Sequence, residues 1–508
     1  MGNLPDPNAS DDVRLLHKLG YAQELSRCLN GFSNFAISLS IICILAGGIT
    51  SFHVGYGAVG GAAIGLGWPL VCLFSLCVAA TMGHIASAFP TAGGLYHWAS
   101  ILGGRGWGWV TAWFNLLGLV TVLAAINVGT VRFAFGAFWP DYKLDVGTQT
   151  LVVFAMTVTQ AILNHLGIRV TRVLTDFSGY WIVGVSLLLT AAFLFTASSF
   201  DFSRLWTFTN FSGYPTTGDP IWPKNDSLMI LFALSFLLPA YTVTGFDASA
   251  HASEETVDAA RNVPKGIVRS VWVSGLFGWI MLMAIVLAIK DPIAAAESGD
   301  QVVPLTIRES FSPGMTTALF AGIVIAQYLC GLATVTSASR VAFAFARDGG
   351  LPASKWIRFV SPRFRTPSYA IWLVAICSVL FTLYSPVYAT ITAVCVIFLY
   401  ISYVLPTAIG FFGYGRWWTE MGPWALGKWF RPLAIISVIG CLGLIVIGMQ
   451  PPNDKALIVV AITSAVLAVL WFAVAKRTFP GPPQGLLTLQ QQEAIRAAEA
   501  AVQEGEGS

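Results

Sequence analysis

The sequence predicts an all-α polytopic membrane protein, and three observations carry that prediction. Hydrophobic residues make up 56% of the 508 and charged residues 10%, whereas soluble domains usually carry about 25% charged residues. The apolar residues fall in unbroken runs long enough to cross hydrocarbon about 30 Å thick, which takes about 20 helical residues. A membrane barrel would show alternating segments of about ten residues instead, and within one segment only a helix satisfies its own backbone polar groups in lipid.

Twelve spans are read, near 33–58, 63–88, 107–136, 148–165, 173–197, 228–251, 268–289, 313–345, 368–384, 387–411, 432–449 and 456–475. The segment before them, residues 1–32, is polar and lacks the short apolar core of a secretory signal, so it reads as a cytoplasmic tail. Basic residues near a membrane are retained on the cytoplasmic side. Placing both termini inside assigns 21 of the 28 Lys and Arg residues to that side and leaves 7 outside. The asymmetry supports the even number of spans and the orientation, with the inner membrane of the cell the expected location.

The first span, FAISLSIICILAGGITSFHVGYG, is interrupted near its middle by Gly47 and Gly48. Glycine there permits unwinding and close approach to the backbone, and it equally permits close helix packing. The sixth span supplies a second interruption, because Pro239, Gly245, Asp247 and His251 share one crossing. If spans one to five (33–197) and six to ten (228–411) are corresponding halves, each break falls in the first helix of its half. That arrangement is expected of an inverted-repeat transporter with a site near the midplane. Helices eleven and twelve (432–475) and a cytoplasmic tail (476–508) would follow.

Unwinding exposes chemistry at both cut ends. Free N–H groups and the positive end of a half-helix bind a carboxylate, and free carbonyls bind an ammonium or a cation. A zwitterionic amino acid matches both. Asp247 is the carboxylate placed well inside a span, where an acid is costly unless paired or protonated; it is a functional candidate, with bonding to the broken backbone as the structural alternative. Tyr241 stands near the break as a pocket wall or as packing.

Several classes are disfavoured. His251, Glu254 and Glu255 have helical spacing, but no second cluster of ligands accompanies them and they are expected at a hydrated cytoplasmic end, so no metal is assigned. Nucleophile-elbow, phosphate-loop and paired-cysteine patterns are lacking, so no enzyme and no cofactor is expected, and no nucleic-acid partner. The eight cysteines are expected as free thiols. Sequons at Asn210 and Asn225 fall in the longest external loop. The C-terminal QGLLTLQQQEAIRAAEAAVQEGEGS reads equally as a surface helix or as disorder.

Four stretches resemble the amino acid/choline transporter family of the amino acid–polyamine–organocation superfamily: SIICILAGGIT (Ser40 to Thr50), ASAFPTAGGLYHWAS (Ala86 to Ser100), YTVTGFDASAHASEET through Arg261 and Pro264, and CGLATVTSASRVAFAFARDGGLPAS (Cys330 to Ser354). The resemblance implies a five-plus-five inverted repeat of the leucine-transporter type plus two helices, and transport of amino acids or 4-aminobutyrate. Ala46, Gly47, Gly48, Ile49 and Thr50 would offer backbone groups to the carboxylate, and Tyr241, Thr244, Gly245 and Phe246 would line the pocket and gate. Asp247 stands where superfamily members carry an acid linked to protonation, and the loop with Pro90, Gly93, Gly94 and Tyr96 would rearrange during transport.

Two departures bear on the coupling ion, H+ or Na+. His84 occupies a place where Glu is expected, so a pairing or coupling role there would differ; a hydrated interfacial histidine is the alternative. The fifth span, TDFSGYWIVGVS, lacks the lysine that stands in for sodium in proton-coupled relatives. Thr334 and neighbouring hydroxyls could contribute to a sodium site, or bond back to their own turn. A choline or polyamine transporter, or a channel or nutrient receptor built on the same scaffold, is the competing reading.

Overall fold

The computed structural model describes residues 10–196, 200–384, 388–451, 453–483 and 489–506, whose regular structure is helical, with no strand among the described residues beyond two isolated bridges. The ends of two expected spans, at 197 and 387, lie outside them. Among the described residues, ten helices are long and apolar enough to cross a membrane, and two shorter apolar helices, Leu228–Thr242 and Ser368–Leu383, accompany them.

A short helix α1 (Asp11–Lys18), capped by the Ser10 hydroxyl, precedes the bundle. The first span is divided into α2 (Gly31–Ile41), a π-helical turn (Ile44–Gly48) and α3 (Phe52–Val59). A second π turn (Ala63–Gly67) leads into α4 (Trp68–Ala88), and α5 (Leu95–Gly103) lies between it and the long α6 (Arg105–Phe138). Then come α7 (Val146–His165) and α8 (Ile168–Thr196). The sixth span is divided into α9 (Leu228–Ser235), α10 (Leu237–Thr242) and α11 (Ala248–His251), and α12 (Ala259–Ala288) follows. Two helices in the next loop, α13 (Pro292–Glu297) and α14 (Val302–Ser310), lie outside the expected spans. The chain continues through α15 (Pro313–Arg347), α16 (Ser354–Ile357), α17 (Ser368–Tyr384), α18 (Tyr388–Gly413), α19 (Phe430–Gly448), α20 (Asp454–Leu470), α21 (Lys476–Thr478) and α22 (Leu489–Glu506). Residues 489–506, which read equally as helix or disorder, are therefore helical.

The centre of the molecule is α6, with α15 and α18 packed along it, while α4 lies along α12. Of these, α6 is buried along nearly its whole length, whereas α20 is the reverse, with Ile458, Ile462, Val466 and Val469 all exposed. Large apolar side chains exposed along a whole helix mark a lipid-facing surface.

The described part of the N-terminal segment packs against the bundle. Tyr21, Leu25 and Leu29 are buried, and Cys28 and Leu29 donate their N–H groups to the Glu255 carbonyl while Val257 N–H donates to the Leu29 carbonyl. His17 meets Glu499 of α22 at 2.7 Å, so both terminal segments lie at one end of the bundle.

Candidate functional site

The two interruptions touch each other. At Gly47 an added Cβ would stand 2.8 Å from Thr242 Cα, so the π turn of the first span rests directly on the backbone of α10. Gly245, at φ +87°, faces Ile41 at the end of α2, and a side chain there would be strained by the backbone and by that contact. The breaks are thus local in sequence and joint in space: each is held open by a glycine pressed on the other helix.

A cavity of about 600 Å³ opens at the end of the bundle opposite the termini and runs inward to these breaks, within the size range of small-molecule sites. Its mouth carries Arg132, Asp300 and Lys455, and its inner wall carries Ser51, Tyr241 and Tyr388. Tyr241 and Tyr388 meet edge to face, with ring centroids 6.2 Å apart. The Thr50 hydroxyl donates to the Ala46 carbonyl at 2.8 Å, so the 2.6 Å contact with Tyr388 is a hydrogen bond donated by the tyrosine. Of the residues expected to line the pocket, Tyr241 reaches the cavity and Thr50 backs its wall. Ala46, Gly47, Gly48 and Ile49 lie behind, and a Cβ on either glycine would point into protein, leaving only backbone groups to offer a ligand. Thr244, Gly245 and Phe246 lie deeper: the Tyr403 hydroxyl accepts the Gly245 N–H at 3.0 Å, and its ring lies tilted against Phe246 with centroids 5.0 Å apart.

Asp247 begins α11 and is fully buried. Its Oδ1 accepts the Tyr403 hydroxyl at 2.9 Å; its Oδ2 accepts Asn115 Nδ2 at 2.9 Å and lies 3.1 Å from His251 Nε2. Asn115, Tyr403 and His251 were not legible as one group, although His251 follows Asp247 by four residues and so shares its helix face. His84 is elsewhere: its Nδ1 accepts the Leu426 N–H at 3.1 Å and its ring sits among Tyr414, Trp418 and Phe430, apart from Asp247. Thr334 donates its hydroxyl to the Cys330 carbonyl of its own turn at 2.9 Å.

The expectation of a hydrated end for His251, Glu254 and Glu255 is corrected, because all three are fully buried. Two arginines one heptad apart on α15 grip the consecutive carboxylates. Arg340 Nε and Nη2 bond Glu255 at 3.0 and 2.9 Å, and Arg347 Nη1 and Nη2 bond Glu254 at 3.0 and 2.7 Å. Burial alone would push the Glu254 carboxyl up, but the Arg347 guanidinium and the Ala92 N–H hold it below the usual range. Beside this pair, Asp348 Oδ2 accepts the hydroxyls of Tyr21 at 2.9 Å and Tyr96 at 2.8 Å and lies 3.1 Å from His97 Nε2. Burial, then Asp348, push the Tyr21 hydroxyl well above its ordinary value. The end nearest the termini is therefore closed by interlocking buried charges. Among the described residues no group of three or more His, Cys, Asp or Glu could hold a metal ion, and all eight cysteines are free.

Fold and site together define an integral membrane protein with a cavity that reaches two interrupted helices. A family model described as amino acid permease matches residues 29–474, and the chain belongs to that family. An amino-acid permease of Arabidopsis thaliana, BAT1, is 32% identical, covering 94% of this chain and 97% of the relative. An uncharacterized amino-acid permease of Schizosaccharomyces pombe is 28% identical over 94% of this chain and 89% of its own length. The GABA-specific permease of Saccharomyces cerevisiae is 27% identical over 96% and 88% respectively.

Proposed function

We propose that the protein is a secondary active transporter, a symporter or exchanger, that carries amino acids or 4-aminobutyrate by alternating access, with substrate held between the broken first and sixth helices. The observation that carries the reading is the meeting of the two breaks, Gly47 on Thr242 and Gly245 on Ile41, beneath a cavity whose inner wall includes Ser51 and Tyr241. The GABA-specific permease among its relatives supports keeping 4-aminobutyrate among the candidate substrates.

The packing supports a five-plus-five repeat. Contact of α6 with α18 corresponds to contact of α15 with α8; α2 on α12 corresponds to α10 on α4; α2 on α8 corresponds to α10 on α18. Five crossings per half make the halves inverted. With Leu228–Thr242 and Ser368–Leu383 counted, the ten longer spans become the twelve expected. The side assigned most of the Lys and Arg residues carries the termini, which supports a reading in which the closed end faces the cytoplasm and the cavity opens outward across a plasma membrane.

Uptake into proteoliposomes tests this. 4-Aminobutyrate, standard amino acids, choline and polyamines would be offered under imposed proton, sodium or substrate gradients. Saturable uptake or exchange of an amino acid is expected. Binding without flux would indicate a receptor, and selective choline or polyamine flux would reassign the substrate.

A further inference from the structure

We propose that a second cavity, at the end of the bundle nearest the termini, binds a phosphate group supplied by the headgroup of an anionic phospholipid. This cavity is separate from the one that reaches the broken helices, and the proposal does not depend on what is transported. It lies between the α7–α8 junction, the 361–365 segment that precedes α17, and the N-terminal segment at Ser26. Arg169, Arg363 and Arg365 line it, and among the described residues no Asp or Glu does. Arginine forks match the oxygens of a phosphate bidentately, so three arginines around a space without an acid form a phosphate-recognition set. The volume is about 1070 Å³, at the upper end of the range of small-molecule sites, about 300–1,000 Å³, and far more than a lone phosphate fills.

The walls are fixed by their own bonds. Gly167 stands at φ +118°, and a Cβ there would lie 3.4 Å from the Phe364 carbonyl, so the junction rests on the 361–365 segment. The Thr366 hydroxyl donates to the His165 carbonyl at 3.3 Å across the same contact. The segment is closed on itself, with Ser361 N–H donating to the Thr366 carbonyl at 2.9 Å and Arg365 N–H to the Ser361 carbonyl at 2.7 Å. Within that turn Arg365 is held at φ +50°, a left-handed conformation uncommon outside glycine. Its Nη2 donates to the Glu24 and Gln23 carbonyls at 3.1 and 3.2 Å, which joins this wall to the N-terminal segment. Arg169 and Arg363 are exposed, and among the described residues neither pairs with a carboxylate. The acid further along α8, Asp176, is taken by Arg172 at 3.6 Å and by the Ser33 hydroxyl at 3.0 Å. Helix α8 begins at Ile168, in the cavity wall itself. The first N–H groups of a helix lack intrahelical acceptors and carry the positive end of its dipole, which adds to the arginines.

The position of the cavity favours a lipid over a free anion. Leu166, in its wall, is exposed, and Val170 and Val173 continue an exposed apolar side along α8. Between α15 and α17 the exposed rings of Trp356, Phe359 and Tyr369 alternate with the exposed Lys355, Arg358 and Arg363. Aromatic and basic side chains mixed in this way mark the level of a membrane–water boundary. Arginines on one side and a lipid-facing helix on the other suit a charged headgroup whose acyl chains run along α8, and basic pockets at this level hold phosphorylated headgroups. A bound phosphate bridges the 361–365 segment and α8, and through Arg365 it braces the carbonyls of Gln23 and Glu24, so occupancy stabilises the folded chain.

The test measures melting of the full chain in detergent against added dioctanoyl phosphatidic acid, dioctanoyl phosphatidylcholine or inorganic phosphate. Phosphatidic acid is expected to raise the Tm of the wild type saturably, by an increment that shrinks between about 0.1 and 0.5 M NaCl, and phosphatidylcholine is not. The double variant Arg169→Gln with Arg363→Gln is expected to need about ten-fold more phosphatidic acid for half-saturation. The control Arg416→Gln with Lys428→Gln removes the same charge from another loop and should respond as wild type does. No rise with phosphatidic acid, or an equal rise with phosphatidylcholine, overturns the proposal. So does a half-saturation unchanged in the double variant, or raised equally in the control. Saturation by inorganic phosphate without a response to the lipid overturns the phospholipid as the source. Should the double variant fail to fold, Arg363→Gln is read alone, with a loss of about three-fold expected and an unchanged half-saturation overturning the site.

Discussion

Adjacent glycines at the first break make a paired experiment, because their surroundings differ although their sequence context does not. A methyl at Gly47 would meet Thr242 at 2.8 Å from Cα, 3.0 Å from Oγ1 and 3.1 Å from Cβ, and the Cα and Cβ atoms cannot rotate away. A methyl at Gly48 would meet Leu282 methyls at 3.6 and 3.7 Å, an ordinary contact. Each substitution also removes backbone entropy from the unfolded chain, worth about 0.5–1 kcal/mol in favour of Ala. Overpacking a well-packed interior costs about 1–3 kcal/mol, so Gly47→Ala should be about 1–3 kcal/mol less favourable than Gly48→Ala. If that strain falls on the state in which the two breaks meet, kcat/KM for uptake drops about 5- to 150-fold in the first variant. The assays are thermal melting in detergent and initial uptake in proteoliposomes, with Gly48→Ala as the control. Equal melting and equal uptake in the two variants would refute the claim that Gly47 is the contact between the breaks.

Three further outcomes follow from the end of the bundle nearest the termini. Arg340→Met leaves Glu255 buried without its partner and should destabilise by about 3–5 kcal/mol, while the double variant Arg340→Met with Glu255→Leu should recover most of that loss; additive losses in chemical or thermal denaturation would contradict the pairing. Glu254 is held below the ordinary carboxylate range, so its contribution is full above about pH 5 and disappears as pH falls through its folded value. The Tm advantage of wild type over Glu254→Gln should accordingly shrink on acidification from about pH 6 to pH 4, and a gap that widens would reverse the sign. Gly94→Ala combines a left-handed φ of +48° with a contact 2.9 Å from His251, and limited proteolysis should find the 89–94 loop cleaved faster than in wild type.

Hydropathy alone locates the spans, because lipid demands runs of apolar residues whatever their partners. The two breaks were equally legible, since Gly47, Gly48, Pro239 and Gly245 disfavour a continuous helix by their own backbone chemistry. What surrounds the breaks was not. Tyr388 and Tyr403 lie in an apolar run in which an aromatic reads as packing, and their hydroxyl partners, Thr50 and Asp247, come from other helices. Glu254 and Glu255 look hydrated next to the polar residues that follow them, and only pairing with Arg347 and Arg340, 93 and 85 residues away, explains their burial. The N-terminal segment reads as a tail because Tyr21 and Leu25 are spaced among polar residues; Tyr21 is covered by His97 of α5 and Arg347 of α15, neither of which is near it in sequence.

One short stretch, residues 241–257, connects all of these features. Tyr241 faces the cavity, Gly245 and Asp247 form the break, His251 reaches the 89–94 loop, Glu254 and Glu255 are gripped by α15, and Thr256 pairs with Leu29 of the N-terminal segment. From Gly245 onward it is a single helical turn and a 3-10 turn held by charge-assisted bonds, too short to bend internally. Displacing the end of this stretch while α15 stays in place must break both bidentate arginine pairs, which is costly; moving the stretch with α15 keeps them and, toward the 89–97 segment, breaks the single hydrogen bonds of Ala92 with His251 and Glu254 and those of the Asp348 cluster. The weaker set is the one at which the end should part, so opening is expected to separate the 89–97 segment from α11 and α15 together, and a cross-link between positions 92 and 254 should arrest transport while one between 255 and 340 should not.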